Sequence, residues 1–94
     1  MSKILRSSLI KPLKNGLSCD LAGEAVLLNL KSGVYFGLNV SGARAWNLIQ
    51  KKTTIACILE AYLEEYDVDP ARGERDLYAL IEDLRSAGFV EIQN

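Results

Sequence analysis

Histidine is absent from this chain of 94 residues. That absence removes the commonest general base of nucleophilic catalysis and the commonest side-chain ligand of zinc. The acidic residues also lack the loop glycine and the spacing of a calcium-binding loop. No imidazole is present to activate the hydroxyl groups of Ser7, Ser8, Ser18, Ser32, Ser41 and Ser86. The composition therefore predicts a protein that is not an enzyme and that needs no metal or other cofactor.

Cysteine and long apolar runs are scarce as well. Cys19 and Cys57 stand alone without a CxxC pair, so we expect two buried small side chains, with a single disulfide as the alternative. No apolar run approaches the ~20 residues of a membrane-spanning helix. The N-terminal segment lacks the hydrophobic core and small-residue cleavage site of a signal peptide. These absences predict a cytoplasmic protein that does not contact the membrane.

The net charge of −1 conceals a strong asymmetry between the two halves of the chain. Residues 1–52 carry eight Lys or Arg against Asp20 and Glu24, a net of +6. Residues 53–94 carry three Arg against ten acidic residues, a net of −7. The halves either solvate one another on a small surface or attract different partners.

The first half has the alternating pattern of β-strands. Residues 17–20 and 24–30 are predicted strands joined at Ala22-Gly23, and a turn at 31–33 leads into a third strand, Val34 to Leu38. This order predicts a three-stranded antiparallel meander. Residues 1–16 are basic and loosely patterned, which is typical of an N-terminal arm or an edge strand.

A helical pattern follows the third strand. The first helix is predicted from Ser41, its N-cap, to Gln50, with Ala45, Trp46 and Ile49 facing inward. Thr53 or Thr54 caps the second helix. Its apolar positions recur with helical spacing at Ile55, Ile58, Leu59, Tyr62, Leu63 and Tyr66.

The third helix is predicted to begin at Asp69-Pro70 and to stop at Gly88. Residues 89–92 then form a short strand or tail that can return to the sheet. The predicted fold is a single α+β domain over residues 1–94. It is winged helix-turn-helix-like, with a three-stranded antiparallel sheet followed by three helices and a short C-terminal strand or tail.

Three kinds of function fit this layout. If the third strand lies at an edge, its unpaired backbone groups can accept a peptide as an added strand. The same edge could pair with a second copy of the chain in a scaffold or dimerisation module. A winged-helix fold also suggests a nucleic-acid-binding or regulatory protein, but residues 69–87 carry a net charge of −2, which suits DNA poorly.

The segment Gly33-Val34-Tyr35-Phe36-Gly37-Leu38-Asn39, followed by Ser41-Gly42 and Trp46, resembles the PqqD-like family. The resemblance extends from about Leu17 to Ile92. It implies an element that binds the leader of a ribosomally made precursor peptide, with the leader lying antiparallel to the third strand beside the third helix. Stand-alone members of this length resemble those of lasso-peptide clusters, whose partner is a separate leader protease. Others serve radical S-adenosylmethionine enzymes, as in pyrroloquinoline quinone synthesis.

The resemblance also implies a set of peptide-binding residues. The pairing strand is formed by Val34, Tyr35, Phe36, Gly37 and Leu38. The facing helix supplies a floor and a rim from Arg75, Asp76, Leu77, Tyr78, Leu80, Ile81 and Leu84. Several of these must belong to the core, and the sequence does not divide them. Tyr78 lies off the main apolar stripe, which favours a pocket position for its side chain.

Overall fold

Residues 4–14, 16–51, 53–65 and 69–94 are described by a computed structural model, and eight elements follow one another in these ranges. The strands and helices are β1 (Leu9–Pro12), β2 (Gly16–Leu21), β3 (Glu24–Asn29), β4 (Tyr35–Leu38), α1 (Val40–Lys51), α2 (Ile55–Glu65), α3 (Pro70–Ser86) and β5 (Val90–Gln93). This order confirms the predicted α+β class, with an antiparallel sheet before three helices.

The meander has the strand order β2-β3-β4, and both of its pairings are antiparallel. Its first turn is Ala22-Gly23, where both residues have positive φ angles, 51° and 87°. Two consecutive residues with positive φ form the type of two-residue hairpin turn that matches the twist of antiparallel strands. The second turn contains Gly33, with a φ of 76°. These turns place β4 at one side of the sheet.

The two ends of the chain form a ribbon of their own. The basic N-terminal segment contains a strand, β1, and β1 pairs antiparallel with β5. The short strand predicted after Gly88 is therefore present, but it pairs with β1 and not with the meander. Gly88, with a φ of 83°, ends α3 and turns the chain, so that the Phe89 carbonyl accepts a hydrogen bond from the Leu13 N–H at 2.9 Å.

The core lies between the inner face of the meander and the helices. Along β3, Ala25, Leu27 and Asn29 are buried while Val26 and Leu28 are half-buried, because alternate side chains point to opposite faces. The helices contribute most of the remaining buried side chains: Ala43, Ala45, Leu48, Ile49, Ile55, Ile58, Leu59, Tyr62, Leu77, Ile81 and Leu84. The inward positions predicted for Ala45 and Ile49 are confirmed. Trp46 is half-buried and meets the Phe89 ring edge-on, with centroids 6.3 Å apart.

The helix starts correct one prediction and confirm another. Asn39, not Ser41, caps α1, because its Oδ1 accepts the Gly42 N–H at 2.8 Å and Ser41 lies inside the first turn. Thr54 caps α2 by accepting the Cys57 N–H at 3.2 Å. The Asp69 side chain makes no cap hydrogen bond, although Pro70 is the first residue of α3. Tyr66 lies outside the described residues.

The prediction that the cysteines are buried is wrong, since Cys19 and Cys57 are both free thiols with exposed side chains. Cys19 lies on β2, all of whose residues are exposed. Cys57 lies on the outward side of α2. Among the described residues, none of the helices combines the length and apolarity that crossing a membrane requires.

Asn29 is a buried polar residue that joins the meander to the end of α3. Its Nδ2 donates to the Ala87 carbonyl at 2.9 Å, and its Oδ1 accepts the N–H groups of Lys31 at 2.9 Å and Ser32 at 3.2 Å. A Cβ at Gly88 would lie 2.7 Å from this Nδ2. Both the positive φ and this close approach therefore require glycine at position 88. The contact fixes the turn before β4 against α3, and so sets the spacing of the region between them.

Candidate functional site

One edge of β4 is open. Its other edge pairs with β3, from Leu28 opposite Tyr35 to Ala25 opposite Leu38. In the part of the chain that the structure describes, no strand occupies the outer edge. β4 is therefore an edge strand, as the addition of a peptide strand to it requires.

The direction of the β4 backbone groups follows from the register. The Asn29 N–H donates to the Val34 carbonyl at 2.8 Å, so this pair is hydrogen-bonded across the two strands. Hydrogen-bonded pairs alternate along an antiparallel ladder, which assigns the next two to Phe36 and Leu38. Tyr35 and Gly37 consequently direct their N–H and C=O groups to the open edge, where an incoming strand can satisfy them.

A groove of about 490 Å³ runs beside this edge. We name it the β4–α3 groove. It is lined by Gly37 and Leu38 of β4, Ser41 and Gly42 of α1, Tyr62 of α2, and Asp76, Leu77, Leu80 and Asp83 of α3, among others. Gly42 allows α1 to begin close to β4, because a Cβ there would lie 3.1 Å from Asn39 Oδ1 and 3.3 Å from a Leu38 methyl carbon.

The helical period divides α3 between core and groove. Leu77, Ile81 and Leu84 are at most 1% exposed and pack in the core, and Leu77 also borders the groove. Asp76, Leu80 and Asp83 follow the i, i+4, i+7 spacing and share the neighbouring stripe, which lines the groove. Leu80 is half-buried, so it offers an apolar floor to a side chain that enters the groove.

The structure brings five of the twelve predicted site residues together in the groove: Gly37, Leu38, Asp76, Leu77 and Leu80. Ile81 and Leu84 lie fully in the core instead. Arg75 is exposed and is not among the residues that line the groove.

The remaining residues of the predicted pairing strand lie around the groove. Phe36 is half-buried and meets the Phe89 ring edge-on, with centroids 6.2 Å apart. Tyr35 is 71% exposed on the opposite face of the sheet. Val34 precedes the strand, which begins at Tyr35 and not at Val34, and its carbonyl is directed toward β3. Phe36 therefore supports β4 from the core, while Tyr35 offers an open ring to solvent.

Tyr78 is not among the groove-lining residues and belongs to a cluster with Arg6 and Glu74. The Arg6 guanidinium donates to both Glu74 carboxylate oxygens, at 2.6 and 3.1 Å. This hydrogen bonding lowers the pKa of Glu74 and raises the pKa of Arg6. Burial, and secondly the Glu74 charge, raises the pKa of Tyr78. The cluster attaches the N-terminal segment to the side of α3 that faces away from the groove stripe.

Sequence reasoning missed Asp83, Ser41, Gly42 and Tyr62 as groove residues. Asp83 carries a usable signal, because it lies seven residues after Asp76 and hence two turns along the same helix face. Ser41 and Gly42 belong to the segment that resembles the PqqD-like family, but their place at the predicted start of the first helix suggests no contact with a ligand. Tyr62 follows the core stripe of α2, and nothing in its spacing distinguishes it from a packing residue.

An open sheet edge with a groove beside it is the arrangement found in domains that bind an extended peptide as an additional strand. The chain belongs to the PqqD family, since the family model described as "Coenzyme PQQ synthesis protein D (PqqD)" matches residues 24–90. No curated protein matches the sequence significantly.

Two solved structures share the fold. One is described as "TbiB1 in Complex with the TbiA(beta) Leader Peptide"; it is 34% identical, the alignment covers 86% of this chain and 94% of that chain, and the TM-score is 0.79. The other is described as "Lasso peptide synthetase B1 complexed with the leader peptide". It is 24% identical over 87% of this chain and 96% of that chain, with a TM-score of 0.75, and supports the fold.

Proposed function

We propose that this protein binds the leader segment of a ribosomally synthesised precursor peptide by strand addition to β4. It then presents the bound leader to a processing enzyme, the leader protease of a lasso-peptide system. The observation that carries the proposal is the open edge of β4 beside the β4–α3 groove. The similarity to TbiB1, which was solved with a leader peptide, supports the choice of ligand.

In this proposal, each part of the leader has a separate role. Its backbone would pair with the outward N–H and C=O groups of Tyr35 and Gly37, a contact that does not depend on sequence. Side chains of an added strand alternate between faces, so every second one would enter the groove over Leu80. Backbone pairing thus supplies affinity, and the groove supplies selectivity.

The proposed role is non-catalytic and requires no cofactor. A disordered leader loses conformational entropy when it binds, which limits the affinity that a preformed edge and a shallow groove can provide. Limited affinity suits a domain that must release its ligand after processing. A cytoplasmic location, where precursor peptides are made and processed, is part of the same proposal.

A second candidate keeps the ligand and changes the enzyme. The match to the PqqD family model favours a chaperone that delivers a precursor peptide to a radical S-adenosylmethionine enzyme. We do not propose nucleic-acid binding, because carboxylates of α3 line the groove and would repel phosphates.

Truncating the groove floor tests the proposal. We expect Leu80→Ala to raise the dissociation constant of a fluorescent TbiA(beta) leader peptide by about tenfold, since the substitution removes an apolar contact in the groove. Fluorescence anisotropy titration measures the effect. Leu63→Ala is the matched control, because Leu63 is also half-buried against the core but lies on α2, away from the groove. Equal affinities of the two variants, or no binding by the parent protein, would contradict the proposal.

A further inference from the structure

The β4–α3 groove is lined by charge of one sign. Asp76 and Asp83 of α3 lie on its wall, and within the described ranges no Lys or Arg lines it. Between the two carboxylates along the helix lies Leu80, which provides the apolar floor. A ligand side chain in this groove therefore meets an apolar surface with a negative group on either side.

Among the described residues, neither carboxylate has a close, buried cationic partner. Asp76 faces Arg72 at 3.9 Å, and both side chains are well exposed, at 61% and 74%. An ion pair that is long and solvated contributes little and is easily exchanged for another partner. For Asp83 the described residues provide no ion pair within 4.0 Å. Both groups can thus receive a cation from a bound peptide.

The spacing of these residues suits an extended peptide. Asp76 and Asp83 are seven residues apart, which is about 10 Å along a helix axis. Alternate side chains of a strand are about 7 Å apart, so the positions two residues before and after a central side chain span about 13 Å. For a leader strand that runs along α3 with its central side chain over Leu80, the several-ångström length of Lys or Arg makes up the difference between the two spans.

The charge of the surrounding surface also favours a basic peptide. α2 and α3 belong to the second half of the chain, whose net charge is −7. Residues of these two helices line the side of the groove opposite β4. A negative field of this kind raises the encounter rate of basic peptides and disfavours acidic ones.

We propose that the β4–α3 groove selects leader segments in which an apolar side chain is flanked, two positions away on each side, by Lys or Arg. This selectivity rests on the proposed function and specifies its ligand class. The apolar side chain covers Leu80, and the two cations lie near Asp76 and Asp83.

The test uses the TbiA(beta) leader peptide as a template. An alanine scan first locates its apolar anchor, and two derivatives then carry Lys or Glu at both positions two residues from that anchor. We expect the Lys derivative to bind about tenfold more tightly than the Glu derivative at low salt, and the ratio to shrink as salt is added. Anisotropy titrations against the parent protein give this ratio.

Two double variants of the protein show which carboxylates cause the difference in affinity between the Lys and Glu derivatives. Asp76→Asn with Asp83→Asn removes two charges from the groove, whereas Glu60→Gln with Glu64→Gln removes two from the exposed surface of α2. We expect the ratio to fall to about twofold in the first and to persist in the second. Equal ratios in both variants would overturn the proposed selectivity while leaving leader binding intact. No binding of any peptide, or binding unaffected by Gly37→Pro in β4, would overturn the proposed function itself.

Discussion

Gly37→Pro should weaken leader binding on the order of 30-fold or more while the domain stays folded. The Gly37 N–H points to the open edge, so proline removes a donor that the leader would use and places its ring where the peptide backbone must approach. The internal ladder is spared, because the hydrogen-bonded partners of β3 are Phe36 and Leu38. Proline is tolerated on edge strands for this reason.

Gly37→Ala is the control for this variant. A Cβ at position 37 meets nothing within 4 Å, and alanine keeps the N–H group. We expect it to bind the TbiA(beta) leader peptide within about threefold of the parent protein, an effect below ~1 kcal/mol. Circular dichroism and thermal unfolding verify that both variants are folded. A folded Gly37→Pro protein with parental affinity would rule out pairing at this edge.

Phe89→Ala is expected to lower the free energy of unfolding by about 3–5 kcal/mol. Phe89 is 1% exposed and meets the rings of Phe36 and Trp46 edge-on. Its ring also lies 3.2 Å from the position of a Cβ on Gly16. The residue therefore packs against β2, β4 and α1 together, and removing its side chain leaves a cavity behind β4. Urea denaturation followed by circular dichroism measures the loss.

Tyr35→Ala provides the comparison for that loss. Tyr35 is an aromatic residue of similar size on β4, but it is 71% exposed and faces solvent. Its truncation should change the unfolding free energy by no more than about 0.5 kcal/mol. If the two variants unfolded at similar urea concentrations, Phe89 would not be the packing centre that the geometry indicates.

The strands and helices were predictable because their periods are clear. The alternation in Val34–Leu38 and the helical spacing of Ile55, Ile58 and Leu59 each identify one buried face. The positive-φ turn at Ala22-Gly23 follows from the same local chemistry. Pairing between the chain ends was not predictable, since β1 and β5 are each four residues long and their pairing depends on where α3 ends.

The candidate site was predictable only as a region. Leu80 and Ile81 are adjacent and similar in hydrophobicity, yet one lines the groove and the other is fully buried. That division depends on the rotation of α3, which Asn29 and the Arg6–Glu74 contact help to fix through groups distant in sequence. Tyr78 lies in the cluster with Arg6 and Glu74 and does not line the groove, for the same reason. Contacts between residues distant in sequence cannot be predicted from the spacing of residues within one helix.

Amide hydrogen exchange along β4, with and without the TbiA(beta) leader peptide, tests the central claim most directly. If the leader adds as a strand, the amides of Tyr35 and Gly37 exchange rapidly in the free protein and at least about tenfold more slowly in the saturated complex. The amides of Phe36 and Leu38 are slow in both states because they already bond to β3. Unchanged exchange at Tyr35 and Gly37 in a saturated complex would contradict strand addition at this edge.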